Sequence, residues 1–534
     1  MEYAGAINAF VEKQRKLLAL EHKAKKTEYA EDIKRCTVKE LELKGTAIRK
    51  LKFTNISTGL YGKALIHLES ARLEKISEYD QLDIDYTKYV TQDEVVLPPT
   101  VIMAGDTVGI FKLGDQLSEP LMQGTVYSQT SQELVVALSK PLSLPLQSLT
   151  ETNLIVLKLA NEAKHKQYME LLEQILNSKE TPTHLWETFF KLRQPRKKAE
   201  MTDIVPYNLH LSELQIQIVQ KALMAIDIHL INGPPATGKT SIIVECILQE
   251  VTKGGRVLVF GLTERALDMI ANKIMPGLSK KIKVCRLSHS TQIALDALIN
   301  ASEEGVVAKK YKEQLNELLR GFVDATGKEQ IAIEVKNLKK EIKKLEVQAI
   351  ETIVDTSNII LSTSTGLREI MKFLHNRKYI VIIDDASLLT EPLTLIPMQL
   401  ASKIILAGDV VQLTPDVKSE QAIKGGLTIS LFEKLQTFYP EATSSLLLQY
   451  RMNNNITTLV SESLYHNHLK AADLVSLASL KKKKKTALDK LKDEITDVRK
   501  IIDRNLLLID TNGSQYGESS TTEESKFNVG YDLS

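Results

Sequence analysis

The segment that most constrains the fold is glycine-rich and covers residues 233–240, GPPATGKT. It fits the pattern Gly-x4-Gly-Lys-Thr in full, and it lies between a strand-like run at 229–232 and a helix-like run at 241–251. Glycine lets the backbone bend so that N–H groups point at phosphate oxygens, and the following helix N-terminus adds its positive end. A chance glycine-rich turn is the alternative, but it would not need this strand and helix. The segment therefore predicts a nucleotide phosphate site formed by Gly233, Pro234, Pro235, Ala236, Thr237, Gly238, Lys239, Thr240 and Ser241.

Two consecutive acids follow a second apolar run. Residues 379–383 have the composition of a buried strand, and Asp384 and Asp385 come directly after it. Parallel strands present their C-terminal ends to the ligand, so Asp384 is predicted to hold Mg²⁺ together with Thr240. Asp385 is then the candidate base for the attacking water, while Lys239 would reach the β- and γ-phosphates. The alternative is that both acids cap the next helix.

A third apolar run, residues 403–407, leads into a polar stretch that contains Gln412. A glutamine at a strand end beside a γ-phosphate can sense that phosphate or orient water. An ordinary polar loop is the alternative for this stretch.

The apolar runs also predict the fold class. Strand-length runs at 229–232, 257–260, 358–361, 379–383 and 403–407 alternate with helical segments, which indicates an α/β domain with a doubly wound parallel sheet over residues 201–424. Residues 291–353 interrupt this pattern with a charged helical insertion, and its apolar positions step by 4, 3, 4 and 3: Ile331, Val335, Leu338, Ile342 and Leu345.

Residues 1–200 differ from this domain. A long amphipathic helix is predicted from residue 7 to about 44, then a small β-barrel or sandwich over about 45–152, then helical periodicity over 153–192. Residues 425–534 are predicted to begin a second α/β domain with strands at 445–449 and 506–510.

Composition and charge exclude other classes. Lys plus Arg number 69 and Asp plus Glu 67, so a net charge of +2 excludes a histone-like polycation but allows a local basic groove. Three widely spaced cysteines form no disulfide framework. The N-terminus lacks the apolar core of a signal peptide, and no apolar run reaches the roughly 18 residues that span a bilayer. We expect a soluble monomer in the nucleus, the cytoplasm or both, with no membrane partner.

Four segments, GPPATGKT, IIDDAS, AGDVVQLTP and LLLQYRMN, occur in an order and spacing that resemble the motifs of superfamily 1 helicases. They are most similar to the group that includes the nonsense-mediated-decay helicase and immunoglobulin mu-binding protein 2. The resemblance extends to AFVEKQRKLLALE, STGLYGK, GDTVGIF and LKLANEAKHKQY near the N-terminus. It implies two RecA-like domains, with ATP as fuel, Mg²⁺ as metal, and 5′-to-3′ movement on single-stranded DNA or RNA. The barrel, its helical stalk and the insertion look like the modules that grip nucleic acid.

The resemblance also implies roles for single residues. Gln215 matches the glutamine that reads adenine, whereas its own sequence context favours an exposed helix residue. Gln412 matches the coupling glutamine of the family. Tyr450 matches an aromatic residue that stacks on the base, and Arg451 matches an arginine finger; without the resemblance, both would be an ordinary strand end.

Five positions depart from the family pattern. Asp385 stands where the family has Glu, and its side chain is one methylene shorter, so slow hydrolysis is a hypothesis. Leu388 replaces Gln, Ala236 replaces a loop Gly, Glu264 replaces a neutral polar residue that faces nucleic acid, and Asn453 replaces His. Alanine at position 236 is tolerable unless its φ is positive.

The last 109 residues, 426–534, hold two clear strand candidates, and Tyr531 stands where the next motif has Glu. We therefore expect an incomplete second RecA-like domain, and the alternative function is a nucleotide-regulated nucleic-acid-binding protein that does not unwind duplexes. The basic runs 193–198 and 481–485 could be import signals, phosphate contacts or solvated surface.

Overall fold

The computed structural model describes residues 2–70, 90–91, 94–95, 97–112, 117, 119–140, 153–160, 162–177, 184–200, 203–277, 282–287, 303–321, 328–374 and 377–476. These residues form two compact units. Among the described residues, the first unit runs to Asn232 and continues over Lys239–Ser445, and the second comprises Gly233–Gly238 together with residues 446–476. Among the described helices, none combines the length and the apolar character needed to cross a bilayer.

The first unit begins with a helical stalk and a closed barrel. Helix α1 (Glu2–Arg35) leads to the short helix α2 (Val38–Leu43), which Thr37 and Glu40 start with a reciprocal capping box. The barrel has the strand order β1-β2-β7-β6-β5-β8 and encloses its own apolar core. Its strands are β1 (Ala47–Thr58), β2 (Ala64–Ser70), β5 (Thr107–Lys112), β6 (Met122–Gln129), β7 (Glu133–Leu138) and β8 (Leu154–Lys158), while β3 (Val90–Thr91) and β4 (Glu94–Val95) pair with each other. The predicted barrel is confirmed.

The end of the barrel corrects the sequence prediction. Helical periodicity was expected from residue 153, but β8 (Leu154–Lys158) is a strand that closes the barrel between β1 and β5. Its residues Leu154, Ile155, Val156 and Leu157 are all buried. A short apolar run buried on both sides has no period that separates strand from helix. The stalk continues with α3 (Glu162–Asn177), which packs against α1, and α4 (His184–Phe189).

A seven-stranded parallel sheet forms the centre of the first unit, with the order β11-β12-β10-β13-β14-β9-β15. All five predicted strands of this domain are confirmed, because a parallel strand covered on both faces has a nearly continuous apolar sequence. The strands are β9 (Ile228–Asn232), β10 (Val257–Phe260), β11 (Val284–Leu287), β12 (Ile359–Ser362), β13 (Tyr379–Ile383), β14 (Ala401–Gly408) and β15 (Thr443–Ser445). The helices are α5 (Glu213–Met224), α6 (Lys239–Thr252), α7 (Glu264–Ile274), α10 (Ser364–Leu374), α11 (Glu391–Met398), α12 (Glu420–Lys424) and α13 (Leu431–Phe438).

The predicted helical insertion lies between β11 and β12. It consists of α8 (Glu303–Gly321) and α9 (Lys328–Thr356), which pack against each other. Ile342 of the predicted apolar seam is fully buried, and Leu338 and Leu345 are half-buried. The barrel turn around Tyr61 contacts α9, where the Tyr61 backbone N–H donates to Glu346 Oε2 at 2.6 Å.

The two compact units divide at a different residue from the predicted boundary at 425. Strand β15 (Thr443–Ser445) pairs in parallel with β9, so the chain remains in the first unit until Ser445. The strand expected at 445–449 is thus divided, and β16 (Leu448–Gln449) pairs with β17 (Lys470–Ala471) in the second unit. That unit also contains α14 (Asn454–Leu464) and α15 (Asp473–Ser476). The predictions for 481–485, 506–510 and the motif around Tyr531 lie outside the described residues.

Candidate nucleotide-binding site

The predicted site residues are divided between the two units. The glycine-rich loop, residues 233–238, belongs to the second unit. Its backbone is left-handed at two positions, with φ of 61° at Ala236 and 93° at Gly238. A Cβ atom on Gly233 would lie 2.6 Å from Thr237 Oγ1, which donates to the Pro234 carbonyl at 2.8 Å. The loop is therefore tightly folded, and glycine is needed where the pattern demands it.

Ala236 has a positive φ, the backbone conformation in which alanine is strained and glycine is not. Its positive φ brings Cβ close to the following carbonyl, a strain of roughly 1–2 kcal/mol for an L-residue. We predict that Ala236→Gly raises the free energy of unfolding by about 0.5–1 kcal/mol, because glycine removes this strain but loses more chain entropy. Urea denaturation measures the change. The matched control is Ala225→Gly, where φ is −57° and the same replacement should destabilise.

In the first unit, the start of α6 and the end of β13 come together. The Thr240 hydroxyl hydrogen-bonds to the Asp384 carboxylate, and the Lys239 ammonium is close enough to favour its ionised form. Asp384 is only 5% exposed. Burial and the neighbouring Asp385 raise the pKa of Asp384 to about 6, against the opposing effect of Lys239, Thr240 and the Asp385 N–H. A buried carboxylate bonded to a threonine hydroxyl is a donor set that suits Mg²⁺.

Asp385 does not cap a helix with its side chain. It precedes the 3-10 turn Ala386–Leu388 with φ 50° and ψ 41°, and its carboxylate makes no capping hydrogen bond. Its N–H instead donates to Asp384 Oδ1 at 3.0 Å. Asp tolerates the left-handed conformation better than most residues do. The geometry therefore favours the catalytic interpretation of this pair over the capping one.

Gln412 lies on the loop that follows β14, and it is exposed. The start of this loop is fixed to the turn after Asp385, because the Asp409 N–H donates to Ser387 Oγ at 3.1 Å. Asp409 Oδ1 then accepts the Val411 N–H at 3.1 Å. The loop carrying Gln412 is thus tied by hydrogen bonds to the segment that follows the two acids.

Gln215 is not the exposed helix residue that its sequence context suggested. It is 6% exposed and forms a capping box at the start of α5, where its Oε1 accepts the Ser212 N–H at 3.0 Å and its own N–H donates to Ser212 Oγ. The box fixes the orientation of the Gln215 amide.

In the second unit, Tyr450 and Arg451 follow β16 directly. The Tyr450 N–H donates to the Ala236 carbonyl at 3.0 Å, which joins this segment to the glycine-rich loop, and the Tyr450 side chain is 37% exposed. Arg451 is exposed as well.

Gln449 is a residue that sequence reasoning missed. Its buried Oε1 accepts N–H groups from Arg451 and Met452, both at 2.7 Å, and its Nε2 donates to Thr457 Oγ1 at 2.8 Å. A polar residue directly after the apolar run 446–448 was the available signal.

Two family departures have local explanations. Asn453 is the N-cap of α14 and accepts the Ile456 N–H at 3.0 Å, a position that Asn suits well. Glu264 begins α7 after the N-cap Thr263, where a carboxylate is favoured by the helix dipole.

Family models match most of the chain. The model for the 1B domain of the helicases SMUBP-2 and HCS1 matches residues 11–157. Two AAA-domain models follow, one over residues 210–330 and 323–420 and the other over 427–530.

Curated relatives match over a similar extent. DNA-binding protein SMUBP-2 of Mesocricetus auratus is 29% identical over 87% of this chain and 46% of its own length. DNA polymerase alpha-associated DNA helicase A of Schizosaccharomyces pombe is 28% identical over 94% of this chain and 73% of its own. The uncharacterized ATP-dependent helicase MJ0104 of Methanocaldococcus jannaschii is 32% identical over 56% of this chain and 50% of its own. The chain therefore spans about half the length of the SMUBP-2 protein that it matches.

Proposed function

We propose that this chain, which is similar to the SMUBP-2 helicases, binds Mg·ATP and couples ATP hydrolysis to 5′-to-3′ movement along single-stranded DNA or RNA. The observation that carries the proposal is the buried Asp384 carboxylate, hydrogen-bonded to Thr240 and close to Lys239. A carboxylate, a hydroxyl and an ammonium at the end of a parallel strand suit a nucleotide that is bound together with a divalent cation.

Each residue has a defined task in this proposal. Lys239 binds the β- and γ-phosphates, and the N–H groups of the loop 233–238 bind phosphate oxygens. Asp384 and Thr240 would hold Mg²⁺, which when bound neutralises charge on the phosphates. Asp385 accepts the proton of the attacking water.

The resemblance supplies tasks for four further residues in this proposal. Gln215 recognises adenine with an amide that its capping box orients. Tyr450 stacks on the base, Arg451 stabilises the transferred phosphoryl group, and Gln412 responds to the γ-phosphate.

Phosphate release from ATP tests this function. We expect hydrolysis that single-stranded DNA or RNA stimulates, together with ATP-dependent separation of a duplex that carries a 5′ single-stranded tail. Hydrolysis that neither nucleic acid stimulates would contradict the proposal.

A second candidate is a nucleotide-regulated nucleic-acid-binding protein that does not unwind duplexes. The shorter acid at position 385 and the half-buried Leu388 on the turn after it favour this candidate. ATP-dependent binding of single strands without strand separation would support it, whereas measured unwinding would exclude it.

The Asp385→Glu variant distinguishes slow ATP hydrolysis from an absence of ATP hydrolysis. The longer side chain extends the carboxylate by one methylene, and a reacting group misplaced by about 1 Å can cost up to about 100-fold in rate. We predict that kcat for ATP rises about tenfold in the Glu variant, while Asp385→Asn lowers it. Glu also adds strain at φ 50°, so thermal melting should be recorded beside the rate. A kcat at or below that of the unsubstituted chain would contradict the prediction.

A further inference from the structure

A buried carboxylate joins the stalk helix to the loop that carries Gln412. Glu21 lies on α1 and is only 8% exposed. Its Oε2 accepts the backbone N–H groups of Lys418 and Ser419, both at 2.9 Å, and its Oε1 accepts the Lys418 N–H at 3.1 Å. Lys25 pairs with the same carboxylate at 3.0 Å. Burial acts to raise the pKa of Glu21, but these hydrogen bonds together hold it below its ordinary value.

The contact lies on a continuous face of α1. Gln14 donates to Glu391 Oε2 at 2.7 Å, and Leu17 packs so closely on Gly425 that a Cβ there would clash with Leu17 Cδ2. Positions 14, 17 and 21 follow the spacing of one helix face. This face therefore rests on α11 and α12 of the sheet domain, and Glu21 is its charged contact.

The Lys418–Ser419 segment is the far end of the loop after β14. At the near end, the Asp409 N–H is bonded to Ser387 Oγ in the turn that follows Asp384 and Asp385. At the far end, Ser419 accepts the Ala422 N–H and starts α12 while its own N–H is held by Glu21. The Gln412 loop is thus fixed on one side to the hydrolytic acids and on the other to the stalk.

The stalk is in turn fixed to the barrel. Glu42 of α2 is buried, and its carboxylate accepts two hydrogen bonds from Arg49 of β1. The Arg49 backbone N–H donates at 2.9 Å, and Arg49 Nε donates at 2.7 Å. Leu41 packs with Ala47, Phe111, Ile155 and Leu157 of the barrel. The end of the stalk is therefore joined to the barrel by packed and hydrogen-bonded groups.

We propose that Glu21 is a positioning residue that couples the nucleotide state sensed at Gln412 to the nucleic-acid affinity of the barrel. The proposal rests on the function proposed above and names the joint through which its two sites communicate. Because such coupling is reciprocal, nucleic acid would change nucleotide affinity through the same joint by the same factor.

The test is the ratio of affinities for a fluorescent oligothymidylate with a non-hydrolysable ATP analogue and without nucleotide, measured by anisotropy. We expect Glu21→Gln to reduce this ratio at least threefold toward one, with basal ATP hydrolysis and nucleotide-free affinity within twofold of the original. Glu12→Gln, an exposed change on the same helix, is the matched control and should leave the ratio unchanged. A preserved ratio in Glu21→Gln overturns the inference alone. A ratio of one in the unsubstituted chain overturns both the inference and the proposed function.

A second perturbation avoids charge and does not depend on the folding of the Glu21 variant. Gly425 has a φ of −73°, so alanine there has no left-handed backbone strain, and its Cβ would clash mainly with Leu17, with the Gln421 carbonyl oxygen 3.3 Å away. Gly425→Ala should lower the ratio by forcing α1 outward, and adding Leu17→Ala should restore it by making space. If Gly425→Ala leaves the affinity ratio unchanged, or if the double variant does not recover the original ratio, the proposed coupling through Glu21 is contradicted.

Discussion

Lys239→Ala is expected to lower the rate of ATP hydrolysis by about 100- to 1000-fold. Lys239 is the first residue of α6, directly after the glycine-rich loop, and its charge acts on the same carboxylate that Thr240 contacts. Removing one preorganised donor to developing charge costs about 2.7–4 kcal/mol of transition-state stabilisation. The variant also loses a cation that favours ionised Asp384, so the metal side of the site is weakened together with the phosphate side. Phosphate release at saturating Mg·ATP measures the loss.

The control for this prediction is Lys253→Ala. Lys253 follows the last residue of α6, is exposed, and lies at the other end of the helix from the site. The Lys253→Ala variant should hydrolyse ATP at the rate of the unsubstituted chain. In the absence of nucleotide, both variants should bind single-stranded DNA equally well. Hydrolysis by Lys239→Ala within threefold of the original would mean that another nucleotide site, or a contaminating enzyme, accounts for the activity.

Five strands of the parallel sheet could be predicted because each is a strand-length apolar run. Asp384 and Asp385 could be placed near the ligand because the carboxyl ends of parallel strands lie at the same edge of the sheet. The sequence pattern places the barrel strand β8 in a helical region, since its four buried apolar residues carry no distinguishing period. Strand β15 joins the sheet of the first unit although it follows the predicted boundary at 425, because its three residues carry no signal for which sheet they join. Local sequence shows where an element is, but its partner depends on packing between distant residues.

In the candidate site, too, some features could be predicted from local sequence and others depend on the folded structure. The pattern GPPATGKT identifies the loop, yet the positive φ that makes Ala236 costly appears only in the folded backbone. Glu21 was missed because it bonds to backbone N–H groups that are distant in sequence, whereas Gln449 bonds within its own segment and its position after the apolar run 446–448 was the signal. The Glu21 contact joins residues 397 positions apart. Motifs therefore predict the groups that touch the substrate, whereas the groups that position those segments are found from the structure.

Asp384→Asn is expected to abolish hydrolysis and, without metal or nucleotide, to stabilise the fold. The pKa of Asp384 is raised from 3.8 to about 6 because burial and Asp385 disfavour its charge. Each unit of pKa shift corresponds to about 1.36 kcal/mol, so the ionised side chain costs up to about 3 kcal/mol of stability. Asparagine has nearly the same shape and carries no charge, so it removes this cost while losing a Mg²⁺ ligand. Activity and stability should therefore change in opposite directions.

The pH dependence distinguishes this cause from a general packing effect. Because the folded pKa exceeds the unfolded one, the protonated group favours the folded state, and that stability is lost as the pH rises through about 6. Urea denaturation in EDTA should show equal stability for the two proteins below about pH 4, with the advantage of the Asn variant growing and becoming constant above about pH 7. Asp385→Asn should shift this rise to lower pH, since Asp385 contributes to the raised pKa of Asp384. An Asn variant that is less stable at pH 7, or an advantage that does not vary with pH, would show that Asp384 is not a destabilising charge held in place for the metal.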